Sequence, residues 1–119
     1  MNHIVLIGRT TSNIELKYTQ GGTAYAHFTL AVDRKKDKDG NRQADFINCI
    51  AWSKGAEILS KYVAKGHRLG VEGRLQSRQY EKDGKKITAY EVVVNDFEFL
   101  QPKGQEQGQP DISDEEIPF

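Results

Sequence analysis

The first 100 residues alternate between hydrophobic and polar positions over most of their length, which predicts a domain built mainly of β-strands. In residues 23–32, for example, Phe28, Leu30 and Val32 fall on one face of a strand. By the same reasoning, strands are predicted over residues 3–9, 14–18, 23–32, 44–52, 67–80 and 87–100. One segment after residue 52 follows a helical spacing instead. Its hydrophobic positions on one helical face are Ile58, Leu59, Tyr62 and Val63.

The ends of the helix and two tight turns also have sequence signals. Ser53 can cap the first helical turn, and Gly66 can supply a left-handed stop. Asp39-Gly40, inside the charged loop 34–43, and Asp83-Gly84 are strong hairpin signals. Short strands with such turns favour a barrel or a sandwich. Three strand regions, one helix and two long strands fit the OB-fold, an all-β fold with one helix and a five-stranded Greek-key barrel.

The composition changes sharply after residue 100. Residues 1–100 are predicted to form the folded domain. Residues 101–110 contain only Gln, Gly and Pro with one Lys and one Glu, which predicts a disordered linker. Residues 111–119 form an acidic tail that ends in Ile117, Pro118 and Phe119. We expect this C-terminal segment to be disordered as well.

Charge is distributed unevenly along the 119 residues, although the net charge is zero. Residues 104–119 hold five acidic residues and no Lys or Arg, which leaves 12 acidic residues against 17 basic residues in the remainder. A basic body with an acidic tail suggests a polyanion-binding domain with a separate interaction segment. A solubilising tail on an ordinary domain explains the charge equally well.

Several other classes of protein are disfavoured. No apolar run approaches the roughly 20 residues of a membrane span, and the N-terminus lacks the features of a signal peptide, so we expect no membrane partner. The single cysteine, Cys49, cannot form an internal disulfide, which is compatible with a cytoplasmic location. The three histidines show no ligand spacing with Cys49, so neither a metal site nor a cofactor is expected. A metal-dependent nuclease remains as the enzyme hypothesis, built on Asp33, Asp37, Asp39 and Asp45.

The strand over residues 44–52 places two aromatic residues beside a polar one. Phe46, Asn48, Ile50 and Trp52 share one face, opposite Ile47, Cys49 and Ala51. Because Asn48 is costly to bury without hydrogen-bond partners, this face is expected to be at least partly in water. The alternative is a strand buried on both faces, with Phe46 and Trp52 in the core.

The strand over residues 67–80 has an apolar and a basic face. Leu69, Val71, Gly73 and Leu75 are expected to be core, and the other face holds Arg68, Glu72, Arg74, Gln76, Arg78 and Tyr80. Aromatic residues beside arginines suit single-stranded nucleic acid, because bases stack on the rings while Arg and Lys neutralise phosphates. Loop 34–43, Lys85 and Lys86 would add phosphate contacts.

Four segments together resemble the bacterial single-stranded DNA-binding proteins, most closely those of Gram-positive bacteria and their phages or mobile elements. They are "NHIVLIGRTTSNIELKYTQGGTAYAHFTLAVDR", "DFINCIAWSKGAEILSKYVAKG", "VEGRLQSRQYEKDGKK" and the terminal "IPF" behind acidic residues. The resemblance implies an OB-fold homotetramer in the cytoplasm, associated with the nucleoid. It also implies a non-enzymatic function in DNA replication, recombination and repair.

The resemblance also implies roles for individual residues. The base-stacking positions match Phe46, Trp52 and Tyr80, and the phosphate-contacting positions match Arg34, Arg74, Arg78 and, more loosely, Lys54. A further stacking aromatic usually follows the segment "LAV". The nearest residue here is Lys36, which is expected to contact phosphate instead.

The acidic C-terminal tip implies docking on other proteins, such as helicases, exonucleases and recombination mediators. Its residues are Asp114, Glu115, Glu116, Ile117, Pro118 and Phe119. Acidic residues would steer the tip to basic surfaces, and the apolar residues would fill a pocket. An inert solubilising tail is the alternative. For the whole chain, the alternative functions are an OB-fold RNA-binding protein and a primosome adaptor.

Overall fold

The computed structural model describes residues 1–100, which form six strands and one helix. The elements are β1 (Ile4–Thr10), β2 (Lys17–Tyr18), β3 (Ala24–Asp33), β4 (Ala44–Trp52), α1 (Ser53–Tyr62), β5 (Arg68–Lys82) and β6 (Lys85–Phe99). Residues 101–119, on which the predictions of a disordered linker and an acidic tip depend, lie outside the described residues. In residues 1–100, no helix is long and apolar enough to cross a membrane.

Five of the strands form a closed ring. The order is β1-β5-β6-β4-β3, and β3 pairs back with β1 at Arg9–Ala31 and Thr10–Leu30. All pairings are antiparallel except that of β4 with β6. The two-residue β2 adds only a short hairpin beside β3, and α1 lies between the third and fourth long strands. The predicted OB-fold is therefore confirmed.

The core fills the ring with the inward-facing side chains of every long strand. Its fully buried side chains include Leu30, Cys49, Leu69, Val71 and Val92. Helix α1 contributes Ala56 and Leu59 to the same core. Burying one Leu or Val side chain contributes about 1.5–3 kcal/mol. The inward-facing residues of the alternating pattern therefore form the core of the barrel.

Three predictions about local structure were wrong. Ser53 does not cap α1, because it is itself the first helical residue. Trp52 occupies the N-cap position, and its side chain makes no capping hydrogen bond. The helix ends at Tyr62, before an extended Val63, and Gly66 lies in the following turn, where its N–H donates to the Thr10 carbonyl at 2.9 Å. Tyr62, which was predicted to lie on the hydrophobic face of the helix, is exposed. The buried residues of α1 are Ala56 and Leu59.

Leu75 is also exposed, although alternation placed it with the core. The pairing of β1 with β5 stops at Gly73, and the pairing of β4 with β6 involves only Val92 and Val93. Beyond these points β5 and β6 continue as a two-stranded hairpin, and no other strand of residues 1–100 pairs with it. Leu75 therefore faces the inner side of the sheet beyond the point where β1 stops pairing with β5, although its partner Val92 still pairs with β4.

The hairpin formed by β5 and β6 has a turn at one end and a kink at the other. Asp83 and Gly84 both have positive φ, at 55° and 79°, as a tight two-residue hairpin turn requires. The kink is a register shift at Glu72/Gly73. A Cβ at Gly73 would lie 1.9 Å from the Val93 carbonyl oxygen, so the close approach of the two strands requires glycine.

Candidate nucleic-acid interface

Strand β4 presents two large aromatic side chains to solvent. Phe46 is 66 % exposed and Trp52 is 43 % exposed, on either side of an exposed Asn48. The alternative in which both aromatic residues belong to the core is therefore excluded. Ile50, which shares their face, is buried. The face of β4 is thus an apolar and aromatic surface with one amide in it.

Strand β3 extends this surface with residues that the sequence analysis left out. Tyr25 pairs with Trp52 across the strands, and their ring centroids are 5.5 Å apart. His27, paired with Ile50, is exposed and lies 5.7 Å from the Tyr25 ring. Alternation in residues 23–32 could have identified Tyr25 and His27, because they lie opposite the core positions. We call Tyr25, His27, Thr29, Phe46, Asn48 and Trp52 the aromatic face.

The β5–β6 hairpin approaches the aromatic face from one side. Arg74, Arg78 and Tyr80 are all exposed on this hairpin, and alternation places them on the same side. Arg78 and Asn48 line one cavity of about 350 Å³, which joins the hairpin to β4. Of the three predicted stacking residues, Phe46 and Trp52 therefore lie on β4. The third, Tyr80, lies two residues after Arg78 on the adjoining hairpin.

The residues predicted to contact phosphate differ in whether their positive charge is already paired with an acidic side chain. The Arg34 guanidinium donates to Asp45 at 2.6 and 2.9 Å, and also to the Gln43 side chain. These hydrogen bonds, which Arg34 donates and Asp45 accepts, lower the pKa of Asp45 and raise the pKa of Arg34. Four other predicted cations, all exposed, have no ion pair among residues 1–100: Lys36, Lys54, Arg74 and Lys85.

Breaking the Arg34–Asp45 pair is expected to strengthen binding to oligo-dT. Asp45→Asn keeps the side-chain shape and removes the carboxylate charge that Arg34 now neutralises. The affinity should rise about two- to threefold at low salt, with a steeper salt dependence, because Arg34 becomes available to one more phosphate.

The matched control for this variant is Asp39→Asn, which removes the same charge from the adjoining loop 34–43. Asp39 makes no ion pair with Arg34, so its replacement should change only the long-range field. A titration at several salt concentrations compares the two variants. Equal gains in affinity would show that the Arg34–Asp45 pair itself does not limit binding.

Two buried groups that can lose a proton, the Glu91 carboxyl and the Cys49 thiol, lie behind the aromatic face. Glu91 is buried on β6, and its Oε2 accepts a hydrogen bond from the Gln76 amide at 3.2 Å. Its Oε1 is 4.0 Å from the Arg78 guanidinium. Burial, and then the negative charge of Glu91, raise the pKa of the Cys49 thiol to about 12. At neutral pH this thiol is therefore protonated.

One acidic residue of loop 34–43, Asp37, holds the shape of the loop. The Asp37 carboxylate accepts hydrogen bonds from the backbone N–H groups of Asp39 and Asn41, at 2.9 and 2.8 Å. Asp45 is paired with Arg34. Within the described part of the chain, no three His, Cys, Asp or Glu side chains are grouped so that they could hold a metal ion.

Comparisons with known proteins all identify single-strand binding proteins as similar to this chain. Residues 1–100 match the model of the single-strand binding protein family. The single-stranded DNA-binding protein of Oceanobacillus iheyensis is 46 % identical over 111 residues, which cover 92 % of this chain and 69 % of the relative. Single-stranded DNA-binding protein 2 of Listeria monocytogenes is 49 % identical over 105 residues, covering 87 % and 66 %. Single-stranded DNA-binding protein 3 of Streptococcus agalactiae is 39 % identical over essentially the whole of both chains. The chain thus spans about two thirds of the length of the first two relatives.

Proposed function

The chain belongs to the single-strand binding protein family, and from this premise we propose that it binds and protects single-stranded DNA in replication, recombination and repair. It acts in the cytoplasm, on nucleoid DNA, as a binding protein without catalytic activity of its own. The contacts to DNA are base stacking and phosphate neutralisation, which accept nearly any sequence.

The exposure of Phe46 and Trp52 on one strand is the observation that carries this proposal. Other aromatic side chains are also exposed on this domain, but Phe46 and Trp52 belong to the contiguous aromatic face of β3 and β4, and a contiguous apolar patch marks a binding surface. Bases in a duplex are already stacked and paired, and only single strands can offer their faces to these rings. The exposed cations of loop 34–43 and of the hairpin supply charge along the same surface.

Titration of the single tryptophan's fluorescence tests the function directly. Oligo-dT should quench Trp52 strongly, and the binding should weaken with salt because phosphate neutralisation releases counterions. Duplex DNA of the same length is the control and should leave the fluorescence nearly unchanged. An RNA oligonucleotide of equal length tests the alternative, since tighter binding of RNA would make the chain an RNA-binding protein.

We further propose that the protein assembles as a homotetramer, using the outer surface of β1, β5 and β6. Val5 and Ile7 are 62 % and 50 % exposed there, and they line a groove of about 650 Å³ with Gly70, Phe97 and Leu100. From Ile4 to Gly8, β1 pairs only with β5, so its other edge has no strand partner in residues 1–100. The same groove is also lined by Glu72, Asp96 and Glu98. The exposed Val5 and Ile7 beside an open strand edge suit a second copy of the same chain. Pairing there leaves the β3–β4 aromatic face open.

Ile7→Asp is expected to break this assembly without unfolding the domain, because half of the Ile7 side chain is already in water. A charge buried without a partner costs an interface several kcal/mol. Sedimentation velocity or light scattering should show a smaller species, while circular dichroism stays unchanged. Tyr62→Asp is the control, since Tyr62 is comparably exposed but lies on α1 outside the groove. An unchanged mass for Ile7→Asp would exclude this surface as the interface.

The acidic tip, residues 114–119, is proposed to recruit helicases, exonucleases and recombination mediators. Its three acidic residues and the apolar Ile117 and Phe119 support this reading. Deleting residues 111–119 should abolish capture of such a partner while oligo-dT binding is kept. A primosome adaptor would instead bind its helicase tightly and DNA poorly. Partner binding that survives the deletion would show that the docking surface lies in the folded domain.

A further inference from the structure

The side chain of Asn2 holds the β5–β6 hairpin at the point where the hairpin leaves the barrel. We propose that Asn2 is a positioning residue for single-stranded DNA, because it fixes the hairpin so that Tyr80 lies where a base can stack on its ring. This inference rests on the proposed binding of single-stranded DNA and deepens it. In this role Asn2 acts through the hairpin and not by contact with the DNA.

Asn2 makes two hydrogen bonds to the backbone of a single residue on β5. Its side-chain Nδ2 donates to the Leu75 carbonyl at 2.7 Å, and its Oδ1 accepts from the Leu75 N–H at 2.9 Å. The β1–β5 register pairs Ile4 with Gly73. Continued by two residues, the same register places Asn2 opposite Leu75. The side-chain amide carries the donor and the acceptor of a peptide group, so it extends the β1–β5 ladder past the first residue of β1.

The hairpin is held from its other edge at the same level. Leu75 pairs with Val92 on β6, and Val92 pairs with Cys49 on β4. Asn2 therefore holds the β5 edge of the Leu75–Val92 pair, while β4 holds its β6 edge. Among residues 1–100, no other strand pairs with the hairpin between this level and its turn. Without Asn2, the base of the hairpin would be held on one edge only.

The kink in the hairpin adjoins this anchored pair. At the kink β6 carries one extra residue, Asn95, which is opposite no residue of β5. Such a bulge bends the strand and increases its twist, so the direction of the hairpin beyond the kink depends on what holds it there. On the barrel side of the kink, His3 Nε2 lies 2.6 Å from Glu72 Oε2. Asn2 and His3 thus hold β5 on both sides of the kink.

Tyr80 lies far enough from the anchored pair for a small tilt to matter. It is five residues after Leu75, a distance of about 17 Å along a strand. A tilt of about 10° at the pair would move the Tyr80 ring by about 3 Å. Binding groups work only when their supporting residues keep them close to the productive geometry, so such a shift would cost part of the stacking at Tyr80.

Protection of a strand edge, with no role in DNA binding, is the competing explanation. An open edge presents unpaired backbone N–H and C=O groups, and Asn2 covers the two groups of Leu75. In that role the loss of Asn2 would change stability or assembly, and it would not change the affinity that Tyr80 contributes. The two explanations are separated by asking whether the loss of affinity depends on Tyr80.

The experiment is a double-mutant cycle on the full chain, with oligo-dT affinity measured by Trp52 fluorescence titration. Asn2→Ala should weaken binding about fivefold, the lower end of what one stacked base contributes. In a Tyr80→Ala background the same change should weaken binding less than about 1.5-fold, because the contact that Asn2 positions is already gone.

Thr19→Ala is the control for the loss of a hydrogen bond to the backbone. The Thr19 hydroxyl accepts from the Thr23 N–H at 3.1 Å, in the turn between β2 and β3 and away from the hairpin. This variant should bind oligo-dT like the wild type. Amide hydrogen exchange gives a second readout, since Asn2→Ala should speed exchange in residues 76–90 about threefold or more while exchange in β3 stays unchanged.

The positioning role would be overturned by an equal loss of affinity in both backgrounds, by wild-type affinity in Asn2→Ala, or by unchanged exchange in the hairpin. A smaller species of Asn2→Ala in sedimentation velocity would also overturn it, because altered assembly would then explain the weaker binding. Failure of the wild type to bind oligo-dT is a different result. It would refute single-strand binding itself, on which the positioning role depends.

Discussion

Phe46→Ala is expected to weaken binding to oligo-dT by about 1–3 kcal/mol for each base that stacks on the lost ring. Phe46 is the most exposed aromatic residue on the aromatic face, so its removal takes little from the core. The free energy of unfolding should therefore change by only about 0.5 kcal/mol. A fluorescence titration gives the affinity, and urea denaturation gives the stability.

Tyr18→Ala is a matched control for this prediction. Tyr18 is 60 % exposed, but it lies on β2, away from the cavity that joins β4 to the hairpin. The control should bind oligo-dT like the wild type. If Phe46→Ala and Tyr18→Ala bound equally well, the path of the DNA would have to avoid this end of β4.

Gly73→Ala should destabilise the folded domain by about 3 kcal/mol, at the upper end of the usual cost of overpacking. The added methyl group would meet the Val93 carbonyl oxygen at 1.9 Å and the Val93 carbonyl carbon at 2.9 Å. Both atoms belong to the backbone of β6, so no side-chain rotation can relieve the contact. The kink would have to open, and the hairpin that carries Arg78 and Tyr80 would shift.

Urea denaturation followed by Trp52 fluorescence measures the loss in stability. Gly21→Ala is the control, because a Cβ there would meet only the Thr19 hydroxyl, at 3.9 Å. Its effect should stay within about 0.5 kcal/mol. A Gly73→Ala protein as stable as this control would mean that β5 and β6 are not held together as closely at the kink as the structure shows.

The folded core could be predicted from the sequence because local signals and packing agree there. The Asp83-Gly84 pair specifies its own turn through two positive φ angles, and alternation fixes which side of each strand faces inward. The end of the barrel could not be predicted in this way. Leu75 has the right parity for the core, but its burial depends on how far β1 extends along β5, which only the assembled sheet determines.

The candidate interface could likewise be predicted from the sequence only in part. Phe46 and Trp52 could be identified because Asn48 lies between them and resists burial. Tyr25 and His27 were missed because only the core face of residues 23–32 was assigned, although alternation places both residues on the opposite face. Glu91 could not be found from β6 alone, because its surroundings come from Gln76 and Arg78 on β5 and Asn48 on β4. Residues that act through three strands become visible only when the strands are paired.

The buried, protonated thiol of Cys49 has a practical consequence for studying this protein in solution. Maleimides and related dyes react with thiolates, and Cys49 is both inaccessible and far from ionised at neutral pH. Because it is the chain's single cysteine, a new cysteine placed on the surface would be labelled alone. Fluorophore pairs could therefore report the path of a DNA strand across the protein without any change to its native core.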